Sequence, residues 1–180
     1  MPKAYLNRDI KIIKIYGDDA KEYLNNIVTN NIDHVNTSNS IYSCLLTPQG
    51  KFLADFFISQ FDNGFYLLVN SKFYEDLING LQFYKLRSKV TIEDITNSYN
   101  YFFVPFDNLT DFFNSNNVSL GHTGLDDNTY AFNDPRIENL GTHIVSNKNS
   151  FGKIELDIVE DDCLDYFLEQ GILSMHLIDD

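Results

Sequence analysis

The sequence predicts an α+β fold in which mixed or antiparallel sheets are covered by helices. Three observations carry that expectation. Segments with strand and helix periodicity follow one another as strand, helix, three strands, helix, strand through the first half of the chain. The three middle strands are separated by short turn sequences, which makes them a meander. Hydrophobic residues at 43% and charged residues at 22% of 180 residues lie in the globular range, with length for about one domain's core.

Taken in order, IKIIKI within residues 9–16 alternates Lys and Ile as a half-buried strand does, and Gly17-Asp18-Asp19 ends it. Asp18 or Asp19 is an expected N-cap for a helix whose Ala20, Leu24, Ile27 and Val28 recur at helical spacing. Residues 30–40 are polar and asparagine-rich, a connection. An apolar strand from Ile41 to Thr47 is turned back by Pro48-Gln49-Gly50 into Phe52–Phe61. That return strand, FLADFFISQF, is apolar at nearly every position, the pattern of burial on both faces, except for Asp55 in its middle. Asp62-Asn63-Gly64 is a hairpin signal leading to Phe65–Val69. Phe73, Leu77, Ile78, Leu81 and Tyr84 then mark a helix ending near Lys85 and Arg87, cations suited to the negative end of its dipole. Val90 and Ile92 mark a closing strand.

In the second half, Tyr99–Val104, Thr129–Phe132 and Thr142–Val145 read as strands. Residues 107–128 read as a polar loop anchored by Phe112 and Phe113. Asp161 and Asp162 are expected to cap a last helix carrying Leu164, Phe167 and Leu168, stopped by Gly171. The apolar run ILSMHLI that follows is expected to pack against something. No repeat and no Pro/Gly linker divides the chain. It reads as one domain, residues 1–180, with subdomains of approximately 1–95 and 96–180.

A formal charge of -13 repels phosphate backbones and anionic lipid head groups, which excludes nucleic acid and a membrane surface as expected partners. The charge is lopsided, net -1 over residues 1–94 and net -12 over 95–180. Cys44 and Cys163 are far apart and in no CxxC, as in a reducing compartment. With no signal-like start and no long apolar run, the expected location is cytoplasmic. His34, His122, His143 and His176 show no metal-ligand spacing, so no metal is expected. No phosphate-cradling glycine loop and no GxSxG elbow is present.

Asp55 is the anomaly. An unpaired charge buried in a strand costs several kcal/mol, so this carboxylate requires a donor: a backbone amide, a lysine or a ligand.

Several segments together resemble a known family. YSCLLTPQGKFLADFFI at 42–58, LLVNS at 67–71, YKLRSKVTIED at 84–94 and DPRIENLG at 134–141, with the opening IKIYGDDAKEYLNNIVTNNI, are similar to the YgfZ branch of the glycine-cleavage T-protein superfamily. The DPR followed by LG is a mark of that branch. The resemblance implies a T-protein-like, folate-binding fold and tetrahydrofolate as cofactor. By position it implies Tyr42, Asp55 and Asn70 as folate contacts, and Glu169, in LEQGI, as the carboxylate that binds the pterin ring. One carboxylate accepts a ring N–H and an adjacent amine together, a charge-assisted bidentate contact; a plain helix-end carboxylate is the other reading of Glu169.

Ala54 stands where T-protein carries the first of two acids, and Phe167 where it carries an arginine. The KGCYxGQE-type segment and C-terminal barrel of YgfZ proteins do not occur in this sequence, so neither cysteine takes the signature cysteine's role. The chain is then either part of a longer family member or a reduced relative. The implied function is a cytoplasmic folate-binding protein that supports iron–sulfur cluster assembly or repair, with iron–sulfur proteins as clients and binding in place of turnover. Two alternatives stand beside it. One is a tetrahydrofolate-dependent aminomethyltransferase of the glycine-cleavage type, with Asp55 catalytic. The other is a ligand-free interaction module using the acidic half.

Overall fold

In the computed structural model, which describes residues 3–116, 124–126, 129–149, 157–161 and 163–172, two sheets organise the chain, each in its own unit. One unit is Asp9–Thr96; the other joins Met1–Arg8 to Asn97–Asp180. The expected α+β class, with mixed and antiparallel sheets, is the one observed.

The chain opens with β1 (Lys3–Leu6), which belongs to the second unit. The first unit then comprises β2 (Ile10–Tyr16), α1 (Ala20–Ile27), β3 (Ile41–Leu46), β4 (Phe52–Phe61), β5 (Gly64–Asn70), α2 (Tyr74–Lys85) and β6 (Thr91–Asp94). Its sheet runs β3-β4-β5-β2-β6, antiparallel throughout. The β4–β5 turn shows how the sequence sets register. Asp62 and Asn63 both take positive φ, 45° and 56°, between the paired Phe61 and Gly64. That is a two-residue hairpin of the type that matches strand twist, and Asp and Asn are among the few residues that tolerate it. Ile13, Ile15, Leu45, Ala54, Phe56, Ile58 and Leu67 face α1 and α2, whose Leu24, Leu77 and Leu81 complete the core. Each of the Ile, Leu and Phe side chains contributes about 1.5–3 kcal/mol on burial.

Asp19 occupies the N-cap position of α1, as expected, but makes no side-chain capping bond. Its carboxylate accepts instead from the Lys89 N–H at 2.6 Å. Gly17 explains why: at φ 124° it lies so near the same segment that a Cβ would come 2.3 Å from the Lys89 carbonyl oxygen. The turn after β2 is stitched to the start of β6, and the acid serves that stitch.

The second unit adds β7 (Tyr99–Pro105), α3 (Phe106–Asn116), β8 (Gly124–Asp126), β9 (Thr129–Asn133), β10 (Gly141–Asn147), β11 (Asp157–Glu160) and α4 (Leu164–Glu169). Its sheet runs β11-β1-β7-β10-β9-β8, antiparallel except where β1 and β11 lie parallel. Ala4, Phe102, Val104, Leu109, Ala131 and Ile144 form its core. The expected loop at 107–128 is corrected in its first part: residues 106–116 are helical, with Leu109 buried and Asp107 in the favourable first turn. The strands β1 and β11 were not expected; their pairing joins residues that sequence patterning cannot bring together. Asp161 accepts from the Cys163 N–H ahead of α4, and Gly171 follows the helix with φ 77°. Asp162, His122, His176 and residues 173–178 of the apolar run lie outside the described residues.

Candidate functional site

Antiparallel register places three of the sequence-singled residues in one row. Cys44 on β3 is paired with Asp55 on β4. The register that sets Phe56 opposite Val69 brings Asn70, one step on, opposite Asp55. Because side chains alternate across a strand, this row lies on the face opposite Leu45, Ala54, Phe56 and Val69, which belong to the helix-covered core. Tyr42, two residues from Cys44, shares the face, and its ring is 5.1 Å from that of Phe57.

The Tyr42 hydroxyl donates to Oδ2 of Asp55. Among the described residues, no backbone amide or lysine supplies a hydrogen bond to this half-buried carboxylate. Asn70 closes β5 and accepts the Lys72 N–H at 2.9 Å through Oδ1, capping the short turn at Ser71–Phe73. That leaves the amide NH₂ as the donor end of Asn70. Burial, and then the charge of Asp55, push the Cys44 thiol above its ordinary pKa, so it is a protonated thiol and a poor nucleophile at neutral pH. Further along β4 on the same face, the Ser59 hydroxyl is buried with no hydrogen-bond partner among the described residues. Glu169 is an exposed carboxylate at the end of α4, in the other unit.

The second unit holds a polar cluster of a different kind. Asp134 is buried in the DPR segment. It accepts from the Arg136 guanidinium at two positions, Nε at 3.0 Å and Nη2 at 2.6 Å, and from the Arg136 backbone N–H at 2.9 Å. His143 on β10, fully buried, lies with Nε2 2.8 Å from Oδ2 of Asp134 and Nδ1 2.7 Å from the Tyr101 hydroxyl. Burial holds His143 below its ordinary pKa although Asp134 pulls the other way. The imidazole is therefore neutral at pH 7. An ionised carboxylate only accepts, so Nε2 carries the proton to Asp134 and Nδ1 accepts from Tyr101. Burial would raise the pKa of Asp134, but the bonds from His143 and the bonds and charge of Arg136 outweigh it and hold the carboxyl well below the usual range. Phe132 stacks on His143 at 4.8 Å and closes the cluster. Sequence reasoning used DPR only as a family mark; a histidine inside the apolar run of β10 was the available signal that an acid had to meet it.

A cavity of about 700 Å³ lies where α1 meets the turn after α2, lined among others by Asp19, Glu22, Tyr23, Leu86 and Arg87. None of the predicted site residues lines it. Among the described residues no group of three His, Cys, Asp or Glu side chains could hold a metal ion, and no helix is long and apolar enough to cross a membrane.

The molecule is thus a two-sheet α+β protein with a tyrosine–aspartate pair on one sheet. Residues 8–105, more than half of the chain, match the GCVT N-terminal domain, and the chain belongs to that family. It is 30% identical over 115 residues to the "Iron-sulfur cluster assembly factor IBA57 homolog, mitochondrial" of Dictyostelium discoideum, covering 49% of this chain and 28% of the relative. It is 35% identical over 86 residues to the protein of the same name from Pyricularia oryzae, covering 46% and 22%. An aminomethyltransferase of Koribacter versatilis is 27% identical over 88 residues, covering 48% and 23%. The match thus spans about a quarter of the length of these relatives. In fold, the chain is similar to the glycine cleavage system aminomethyltransferase T of Bartonella henselae, with a TM-score of 0.68 and 13% identity, covering 84% of this chain and 45% of that one.

Proposed function

We propose that this chain binds tetrahydrofolate and supports iron–sulfur cluster assembly or repair, acting by binding and not by turnover. The observation that carries the folate part is the environment of Asp55. A carboxylate in the middle of an apolar strand receives one side-chain hydroxyl and no backbone donor among the described residues, which leaves acceptor capacity for the N–H groups of a pterin. The chemistry of the row suits that ligand. Asp55 would accept at the reactive end of the pterin, Asn70 offers an amide donor, and the Tyr42 and Phe57 rings offer apolar faces. Glu169, expected from the resemblance as the acceptor for the pyrimidine edge, is accessible to solvent. Bound tetrahydrofolate would bring a one-carbon carrier to these residues. The iron–sulfur part draws on the names of two relatives. A cytoplasmic location belongs to the same reading and rests on cysteine usage, although those relatives are named as mitochondrial.

The aminomethyltransferase alternative draws on the Koribacter relative, but Ala54 is fully buried in the helix-covered core. No second acid on β4 stands beside Asp55.

Equilibrium titration of the full chain with tetrahydrofolate tests the proposal. The native chain is expected to bind, and Asp55→Ala and Glu169→Ala each to bind about 10–100-fold more weakly, the value of a charged hydrogen-bond acceptor. Absence of binding by the native chain overturns the folate reading and leaves the interaction module; turnover of an aminomethyl donor by the native chain replaces binding with transfer. Unchanged iron–sulfur enzyme activities in cells depleted of the protein would remove the second half of the proposal.

A further inference from the structure

The helix that presents Glu169 is too short to hold itself. α4 has six residues, well under the length at which a helix is stable alone in water. It starts from Cys163 in a left-handed conformation, φ 62°, with no side-chain capping bond. Its placement must come from contacts with the rest of its unit, and Phe167, the buried residue of the helix, is central to them. That ring is buried, 4.8 Å from Phe103, with the Arg136 guanidinium carbon 5.2 Å from its centroid. Tyr166 adds one bond, its hydroxyl donating to the Leu140 carbonyl at 2.7 Å.

Arg136 is itself unusually constrained. Its guanidinium is gripped by Asp134 through two nitrogens, and Asp134 is also held at Oδ2 by His143, which Tyr101 holds in turn. The plane of the cation is therefore fixed before it meets the ring. The arginine side chain is only 15% exposed, and a partly desolvated cation over an aromatic face is the stronger form of that interaction.

Helical geometry carries the consequence to position 169. Two residues along a helix turn by about 200°, so burying Phe167 sends Glu169 outward; Phe167 is buried and Glu169 exposed. Rolling the helix by one residue would turn the carboxylate through about 100°.

We propose that Arg136 is a positioning residue: clamped by Asp134, it locks Phe167 and thereby sets the orientation in which α4 offers the Glu169 carboxylate to tetrahydrofolate. The proposal rests on the reading of Glu169 as a folate contact and gives the DPR segment a task in ligand binding.

Two measurements on the full chain test it. Phe167→Leu removes the ring while leaving the Asp134 bonds intact, and Arg136→Lys keeps the charge while losing the planar fork. In hydrogen exchange without ligand, both variants are expected to lose protection at the α4 amides of Phe167 and Gln170 while Ile144 and Val145 in β10 keep theirs. Equal protection of α4 in variants and native chain overturns the clamp. In tetrahydrofolate titration, each variant is expected to bind about tenfold more weakly than the native chain. The same substitution is expected to add no further loss in a Glu169→Ala background, because its effect passes through that carboxylate. An equal added loss in that background marks a merely structural role and overturns the positioning claim while the folate reading stands. No binding by the native chain removes the folate reading itself.

Discussion

Two aspartates, one in each unit, mark the difference between an acid a fold consumes and one it leaves available. Asp134 is buried and receives a guanidinium at two nitrogens, a backbone amide and an imidazole. Its acceptor capacity is spent within its own unit. Asp55 is half-buried in an apolar strand and receives a tyrosine hydroxyl. Burial alone does not identify a site. A charge withdrawn from water needs partners, and among the described residues Asp55 is supplied with fewer of them than Asp134.

The sharpest break of this contrast is Asp134→Ala. It strands a largely buried arginine and should destabilise the chain by about 3–5 kcal/mol in urea unfolding. A loss below about 1 kcal/mol would mean that the cluster is not the anchor of its unit. The acid side of the stability profile sharpens the same point. Asp134 and His143 both have folded-state pKa values below their ordinary ones, so the unfolded chain binds more protons than the folded one at low pH. Their contribution is complete above about pH 6.5 and drains away as the pH falls, first through the histidine and then through the carboxylate range. Urea midpoints should fall with that slope, and Asp134→Asn should flatten its lower part.

Next in size is Gly141→Ala. The added Cβ would meet the Val104 carbonyl oxygen and the Phe103 ring at 2.5 Å, at φ 156°, at an expected cost of about 1–3 kcal/mol in the same measurement. This tests whether the start of β10, which positions His143, is as rigid as the cluster requires. Asp55→Ala should change stability by less than about 1 kcal/mol even where it weakens the proposed tetrahydrofolate binding; a loss as large as that of Asp134→Ala would make it a structural acid and end the comparison. Smallest of all is Arg8→Ala. The Arg8–Glu160 pair, 2.6 Å apart with both side chains 67% exposed, should contribute well under about 1 kcal/mol and vanish in salt.

The first unit was largely legible because its information is local. The meander β3-β4-β5 is written in Pro48-Gln49-Gly50 and in Asp62-Asn63, residues whose backbone preferences make the turns. The second unit hid its organisation in pairings between distant residues. β1 meets β11 some 150 residues away, which no periodicity reports. The helix α3 was obscured by its asparagines, poor helix formers that read as loop, although Leu109 and the two following phenylalanines stand at helical spacing. At the site, the exceptional composition of β4 singled out Asp55, but the hydroxyl that reaches it comes from the neighbouring strand, and Cys44 joined the row only once register was known. The Asp134 cluster was illegible for the same reason: Tyr101, Arg136 and His143 come from three separate segments.

The discontinuous make-up of the second unit has a consequence for biosynthesis. Lys3–Leu6 leave the ribosome ahead of the other described residues, yet their neighbours in the sheet are Phe102–Phe103 and Asp157–Glu160. The intervening residues, Asp9–Thr96, form a contiguous unit able to acquire structure while translation continues. The opening strand must wait, unpaired, until Phe102–Phe103 have emerged, and for its second neighbour until Asp157–Glu160 have, and closing such long loops is a slow step. A nascent protein of this design therefore passes through an interval with one sheet made and the opening strand of the other still without its partners, the interval in which a chaperone has most to protect.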